Sequence, residues 1–190
     1  RILDYQGLVT ESAEFASSDS APQLALTWNI QGKSRVIRTD VATNWPALSL
    51  SSRQMFVFKE AVINIGGTAY RCKQIRIGVN NNIQGEDFFN SETRQDLPSA
   101  FQTITFSHDS PWDSNTYVDQ LDTKVTADAT VTYTKGNSTL QFRFPCLETF
   151  PTEPQIAGRT RIINGWNWKA KYDPAHAIAA PLQITMDPTE

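Results

Sequence analysis

Apolar side chains along this chain recur at every second residue far more often than at helical spacing. An extended backbone sends successive side chains to opposite faces, so a period of two describes strands with one dry face and one wet face. The run Gln23-Leu24-Ala25-Leu26-Thr27-Trp28-Asn29-Ile30 keeps this period up to the turn Gln31-Gly32-Lys33. Residues 55–65 carry it through Ala61, Ile63 and Ile65 and stop at Gly66-Gly67, a hairpin signal. Residues 68–72 lead into 74–79, which alternate again. Residues 101–106 and 126–133 read as strands, Lys135-Gly136-Asn137 as a turn, and 140–144 as the answering strand. Residues 162–172 and 182–186 supply two more. One short helix fits at 115–121, with Tyr117, Val118 and Leu121 on one face and Ser114 as its cap. Many short strands punctuated by turns give an all-β expectation. It is a β-sandwich or partly closed barrel of antiparallel strands with one short flanking helix.

Three stretches divide the chain. Residues 1–41 form a strand hairpin. Residues 42–54 look like a linker, with Asn44, Pro46, Ser49, Ser51 and Ser52, and residues 55–190 form the main β domain. Residues 80–100 form a long polar loop containing Asn80-Asn81-Asn82, Gly85-Glu86-Asp87 and Pro98. A loop of that length has a function of its own or lacks fixed structure, and it is expected to order against a neighbouring molecule. A faint echo aligns Tyr5 onward with Phe144 onward, pairing Leu8 with Leu147, Thr10 with Thr149 and Glu14 with Glu153. On that reading 1–41 is the end of a preceding tandem copy. The first residue is Arg1, not Met, which suggests a processed or partial product lacking N-terminal sequence. Leu24, Leu26, Trp28 and Ile30 then need a covering layer from elsewhere.

Charge and motif content narrow the function. The formal net charge is −3, no Lys/Arg run is present, and no RNP signature appears, so sequence-specific nucleic-acid binding is not expected. No segment approaches the roughly 20 apolar residues of a membrane-spanning helix, and no secretory n- and h-region opens the chain. Cys72 and Cys146 are too few for a disulfide scaffold and read as two buried free thiols, with a single bridge as the alternative. With His108 and His176 in unrelated contexts, they do not assemble the four ligands of a zinc site. His108-Asp109-Ser110 holds the residue types of a triad, but neighbours on one chain cannot adopt its geometry. The group reads as a polar turn before Pro111. Asp109, Asp113, Asp119 and Asp122 lack the spacing of a calcium loop. Glu86, Asp87 and Glu92 lack the rigid, opposed placement of glycosidase carboxylates. Gly66-Gly67 has no Lys and helix after it, so it is no phosphate loop. Asn137-Ser138-Thr139 matches a glycosylation sequon that chance explains. No catalytic, cofactor-binding or metal-ligating residue is therefore assigned, and no cofactor is expected. Trp166 and Trp168, two apart, share one strand face, which suits a core or a subunit interface better than a sugar platform.

The segment Phe58-Lys59-Glu60-Ala61-Val62-Ile63-Asn64-Ile65-Gly66-Gly67-Thr68-Ala69-Tyr70 resembles the opening hairpin of tail-tube proteins of long-tailed phages. The following Gln74-Ile75-Arg76-Ile77-Gly78-Val79-Asn80-Asn81-Asn82-Ile83 is similar to that family's second strand and its polar turn. The later order fits too: a long loop, a strand at 101–106, a helix at 117–121, a hairpin at 126–144 and a closing strand at 166–172. The ending Lys171-Tyr172-Asp173-Pro174, then Pro181-Leu182-Gln183-Ile184-Thr185-Met186, is also similar. The resemblance spans about residues 55–187. It implies a structural virion protein whose copies join edge to edge into rings that stack into a tail tube. Its partners are then its own copies and other phage tail proteins, with DNA only as passing cargo and no membrane. It belongs in the virion tail, and in the host cytoplasm during assembly. Two tandem domains per chain imply a trimeric ring and one implies a hexamer. The alternative is a carbohydrate-binding or adhesive β-sandwich of a phage fibre or bacterial surface protein, using Trp45, Trp112, Trp166 or Trp168 as sugar platforms.

Overall fold

The computed structural model describes residues 2–38, 55–83, 97, 101–111, 126–150, 163–178 and 180–188. The alternating runs become strands: β1 (Ile2–Gln6), β2 (Val9–Ser18), β3 (Ala25–Gln31), β4 (Ser34–Arg38), β5 (Ala61–Ile65), β6 (Thr68–Tyr70), β7 (Gln74–Asn80), β8 (Thr103–Pro111), β9 (Thr126–Lys135), β10 (Ser138–Phe150), β11 (Ile163–Ala170) and β12 (Gln183–Pro188). All described pairings are antiparallel. Ten strands make one sheet in the order β3-β2-β7-β8-β11-β10-β9-β5-β6, with β12 beside β10, and β1 and β4 make a separate two-stranded ribbon. The fold is all-β, and the sheet is not closed into a barrel.

Alternation places one dry row after another across this sheet. Phe15 pairs with Ile77, Ile77 with Phe106, and Phe106 with Trp168. One step along, Ser17 pairs with Ile75, Ile75 with His108, and His108 with Trp166. In the other half, Ile63 pairs with Val131, Val131 with Phe142, and Phe142 with Ile184. The two halves face each other. Phe15 meets Phe142 edge-on at 4.9 Å between centroids, Phe106 stacks on Phe144 at 5.4 Å, and Tyr70 lies 6.0 Å from His108. Between them sits a core in which Phe106, Val131, Tyr133, Phe142, Phe144 and Leu147 are fully buried. Covering a large apolar side chain contributes about 1.5–3 kcal/mol, so these rows hold the halves together.

Local chemistry explains the breaks. Gly66 and Gly67 have φ of 57° and 80°, the left-handed conformation that a two-residue hairpin needs and side chains resist. On β10 the register with β9 shifts between Phe144 and Leu147. Pro145 lies in that gap and has no N–H for the ladder. The neighbour of β10 changes there too: residues 138–143 pair with β12, and 147–150 with β11.

Two sequence expectations change. Residues 55–60 continue no strand; Phe58–Glu60 form a 3-10 turn ahead of β5. Glu60 explains it, because its Oε2 accepts from Val57 N–H at 3.0 Å while its own N–H donates to Val57 O at 2.9 Å. The preceding residues tie back to the start of β3 through Leu24 N–H donating to Phe56 O at 3.0 Å. His108-Asp109-Ser110 is no turn but part of β8, paired with β7 and β11. Pro111 ends that strand instead of opening a loop before it. The helix expected at 115–121 and most of the 80–100 loop lie outside the described residues.

Candidate assembly surface

Among the described residues the sheet has three strands bound on one side only along their named lengths: β3 on β2, β6 on β5, and β12 on β10. A lone edge presents unpaired N–H and C=O groups, and monomeric proteins blunt such edges with charge, proline or brevity. β6 is blunted, being three residues long and followed by Arg71 and Lys73. β3 carries neither a charge nor a proline. β12 has them only at its end, in Asp187 and Pro188.

The same two strands expose apolar side chains. Leu26, Trp28 and Ile30 are 52%, 58% and 44% exposed, and Ile184 and Met186 are 47% and 56% exposed. All five belong to the dry face. Leu26 pairs with Phe15 and Trp28 with Ala13, while Ile184 pairs with Phe142 and Met186 with Leu140. The rows that fill the core therefore run on past it at both edges. The indole N–H of Trp28 donates to Thr10 Oγ1 at 3.1 Å, which satisfies its polar end and leaves an apolar ring. Leu24 differs, being partly buried against the core.

The outer face of β3, β2, β7 and β8 is polar. Ser12, Glu14, Thr27, Asn29, Asn80 and Thr105 line a shallow groove there of about 470 Å³. Gly78 forms part of its floor, where a Cβ would come within 2.8 Å of Thr105 Oγ1. Asn29 donates to Ser12 Oγ at 2.8 Å across it. Hydroxyls and amides dominate this face.

Chemistry-bearing residues sit elsewhere and apart. His108 is buried among Tyr70, Phe106, Trp166 and Trp168, and burial pushes its pKa down to about 4. Among the described residues neither ring nitrogen has a hydrogen-bond partner. Trp166 and Trp168 are buried and stacked at 6.4 Å, so they form core and offer no sugar platform. Cys72 and Cys146 are both free and half-buried. Burial, helped by the charge of Asp109, pushes the Cys72 thiol up to about 12, which removes its nucleophilicity. Tyr133 is raised by burial against the pull of its 2.7 Å hydrogen bond with Ser17. No group of three or more His, Cys, Asp or Glu among the described residues is placed to hold a metal. Asn137 lies in the exposed β9–β10 turn. Trp45, Trp112, Glu86, Asp87, Glu92, Asp113, Asp119 and Asp122 lie outside the described residues.

The need to cover Leu26, Trp28 and Ile30 was apparent from alternation. That Ile184 and Met186 share their situation was not, because the same period describes a covered strand and an edge strand. The signal available was the absence of charge along β3 and along β12 up to Asp187.

The described residues thus form an unclosed all-β sheet with two unblunted edges that expose apolar side chains. The family model for phage tail tube proteins matches residues 2–170, and the chain belongs to that family. It is a structural component of the virion tail. No curated protein sequence matches it.

Proposed function

We propose that copies of this chain join into closed rings, and that the rings stack into the tube through which DNA leaves the virion. The observation that carries this reading is a sheet that, among the described residues, ends in unpaired edges instead of closing on itself. Heterologous contacts between unlike edges generate a ring when the rotation closes, and stacking then extends it. Three two-domain chains, or six single-domain ones, would complete a ring. The chain catalyses nothing in this reading and holds no cofactor. Its partners are further copies and other tail proteins, brought together in the host cytoplasm.

DNA passes such a tube without being gripped. Each phosphate neutralised by Lys or Arg adds salt-dependent affinity, and the net charge of −3 works against that. Sedimentation velocity over a concentration series, with negative-stain microscopy of the concentrated sample, tests the proposal. Discrete ring-sized species growing into stacks are expected. A chain that stays monomeric throughout contradicts it.

A further inference from the structure

We infer that β3 of one copy docks on β12 of the next, which places Leu26, Trp28 and Ile30 beside Ile184 and Met186 across the joint. The inference deepens the assembly reading and rests on it. It names the two surfaces that meet.

Three observations select this pair. First, β3 and β12 are the sheet's unblunted edges, whereas β6 is short and flanked by positive charge. Second, the apolar residues of both strands lie on the dry face of the sheet. Joining β3 to β12 of another copy makes one continuous sheet whose dry row runs from Phe15 through Leu26 into Ile184 and Phe142 of the next copy. Third, the two strands match in length, seven residues and six, so their ladders saturate each other. One chain carries both halves of the contact, which identifies the occupant as a second copy.

The area sets how such a contact behaves. Taking ~200 Å² for a fully covered side chain of this size, five at about half exposure offer on the order of 500 Å². A stable stand-alone interface covers roughly 1,200–2,000 Å². A single joint is thus too small to hold two copies firmly. A ring gives every copy two joints, so closure supplies what one contact lacks, and assembly is cooperative in concentration.

The test uses the whole chain with Trp28→Lys on one edge and Met186→Lys on the other, at concentrations where the unmodified chain assembles. Leu26→Lys and Ile184→Lys are second variants for each edge, and circular dichroism with a thermal melt checks that each is folded. Val62→Lys is the control, since Val62 is 53% exposed on β5 away from both edges. Each edge variant is expected to need about ten-fold or more concentration to assemble, and Val62→Lys none. The variants spoil opposite sides of the joint, so an equimolar mixture of Trp28→Lys and Met186→Lys leaves one sound joint per pair and is expected to form no rings. Folded edge variants that assemble like the unmodified chain overturn the inference and leave the assembly reading standing. If only the β3 variants fail, β3 pairs with itself and the inference is overturned. An unmodified chain that never assembles overturns both.

Discussion

His108 is the residue on which acidity acts most directly. It sits in the dry row between Ile75 and Trp166, with aromatic rings around it and, among the described residues, no carboxylate that offsets the cost of charging it. Burial lowers its folded pKa from 6.5 to about 4, so the folded state favours the neutral ring. The unfolded chain therefore binds more protons between those values. The stabilisation is present in full above pH 6.5 and is lost as pH falls through about 4. A shift of this size corresponds to roughly 3 kcal/mol. Urea unfolding at pH 7 and pH 4 should show that much extra loss in the native chain compared with His108→Leu. Parallel losses in the two would place the acid sensitivity elsewhere. Cys72 makes a second residue-scale case. With its thiol pushed up to about 12, it should resist alkylation in the folded chain at pH 8 and react once unfolded. Intact mass should not change with reductant. An alkylation-resistant pair that opens only on reduction would contradict the free state of both cysteines.

At the scale of elements, turn chemistry and alternation carried most of the fold. Gly66-Gly67 and Gly136-Asn137 announced hairpins that the structure contains, and the runs around Leu24, Ile75, Phe106 and Phe142 became strands. Gly67→Val is expected to destabilise the chain by about 1–2 kcal/mol, since φ of 80° is unfavourable for a branched side chain. A shift of the urea midpoint at unchanged slope would measure it, and an unshifted midpoint would show that the turn tolerates a Cβ. The misreadings have physical causes. His108 and Ser110 are polar in sequence but point inward, so the pattern that marks a strand was hidden in β8. The pairing within 55–60 is made by the side chain of Glu60, which periodicity does not register. The hand-over of β10 from β12 to β11 at Pro145 depends on partners far along the chain. Which edges stay open depends on sheet order, and local pattern holds no information about that.

For the whole molecule, family membership and the open sheet support the proposal that copies of the chain cover one another's apolar edges. The polar outer face and the slightly acidic balance bear on cargo. The isolated protein should show no duplex DNA binding at physiological salt, and a sub-micromolar affinity by fluorescence anisotropy would contradict passage without grip. Assembly itself is the central claim, and imaging addresses it most directly. Negative-stain microscopy of the concentrated chain should reveal closed rings of one diameter, some stacked into short tubes. A field of separate single-chain particles at every concentration would contradict the account.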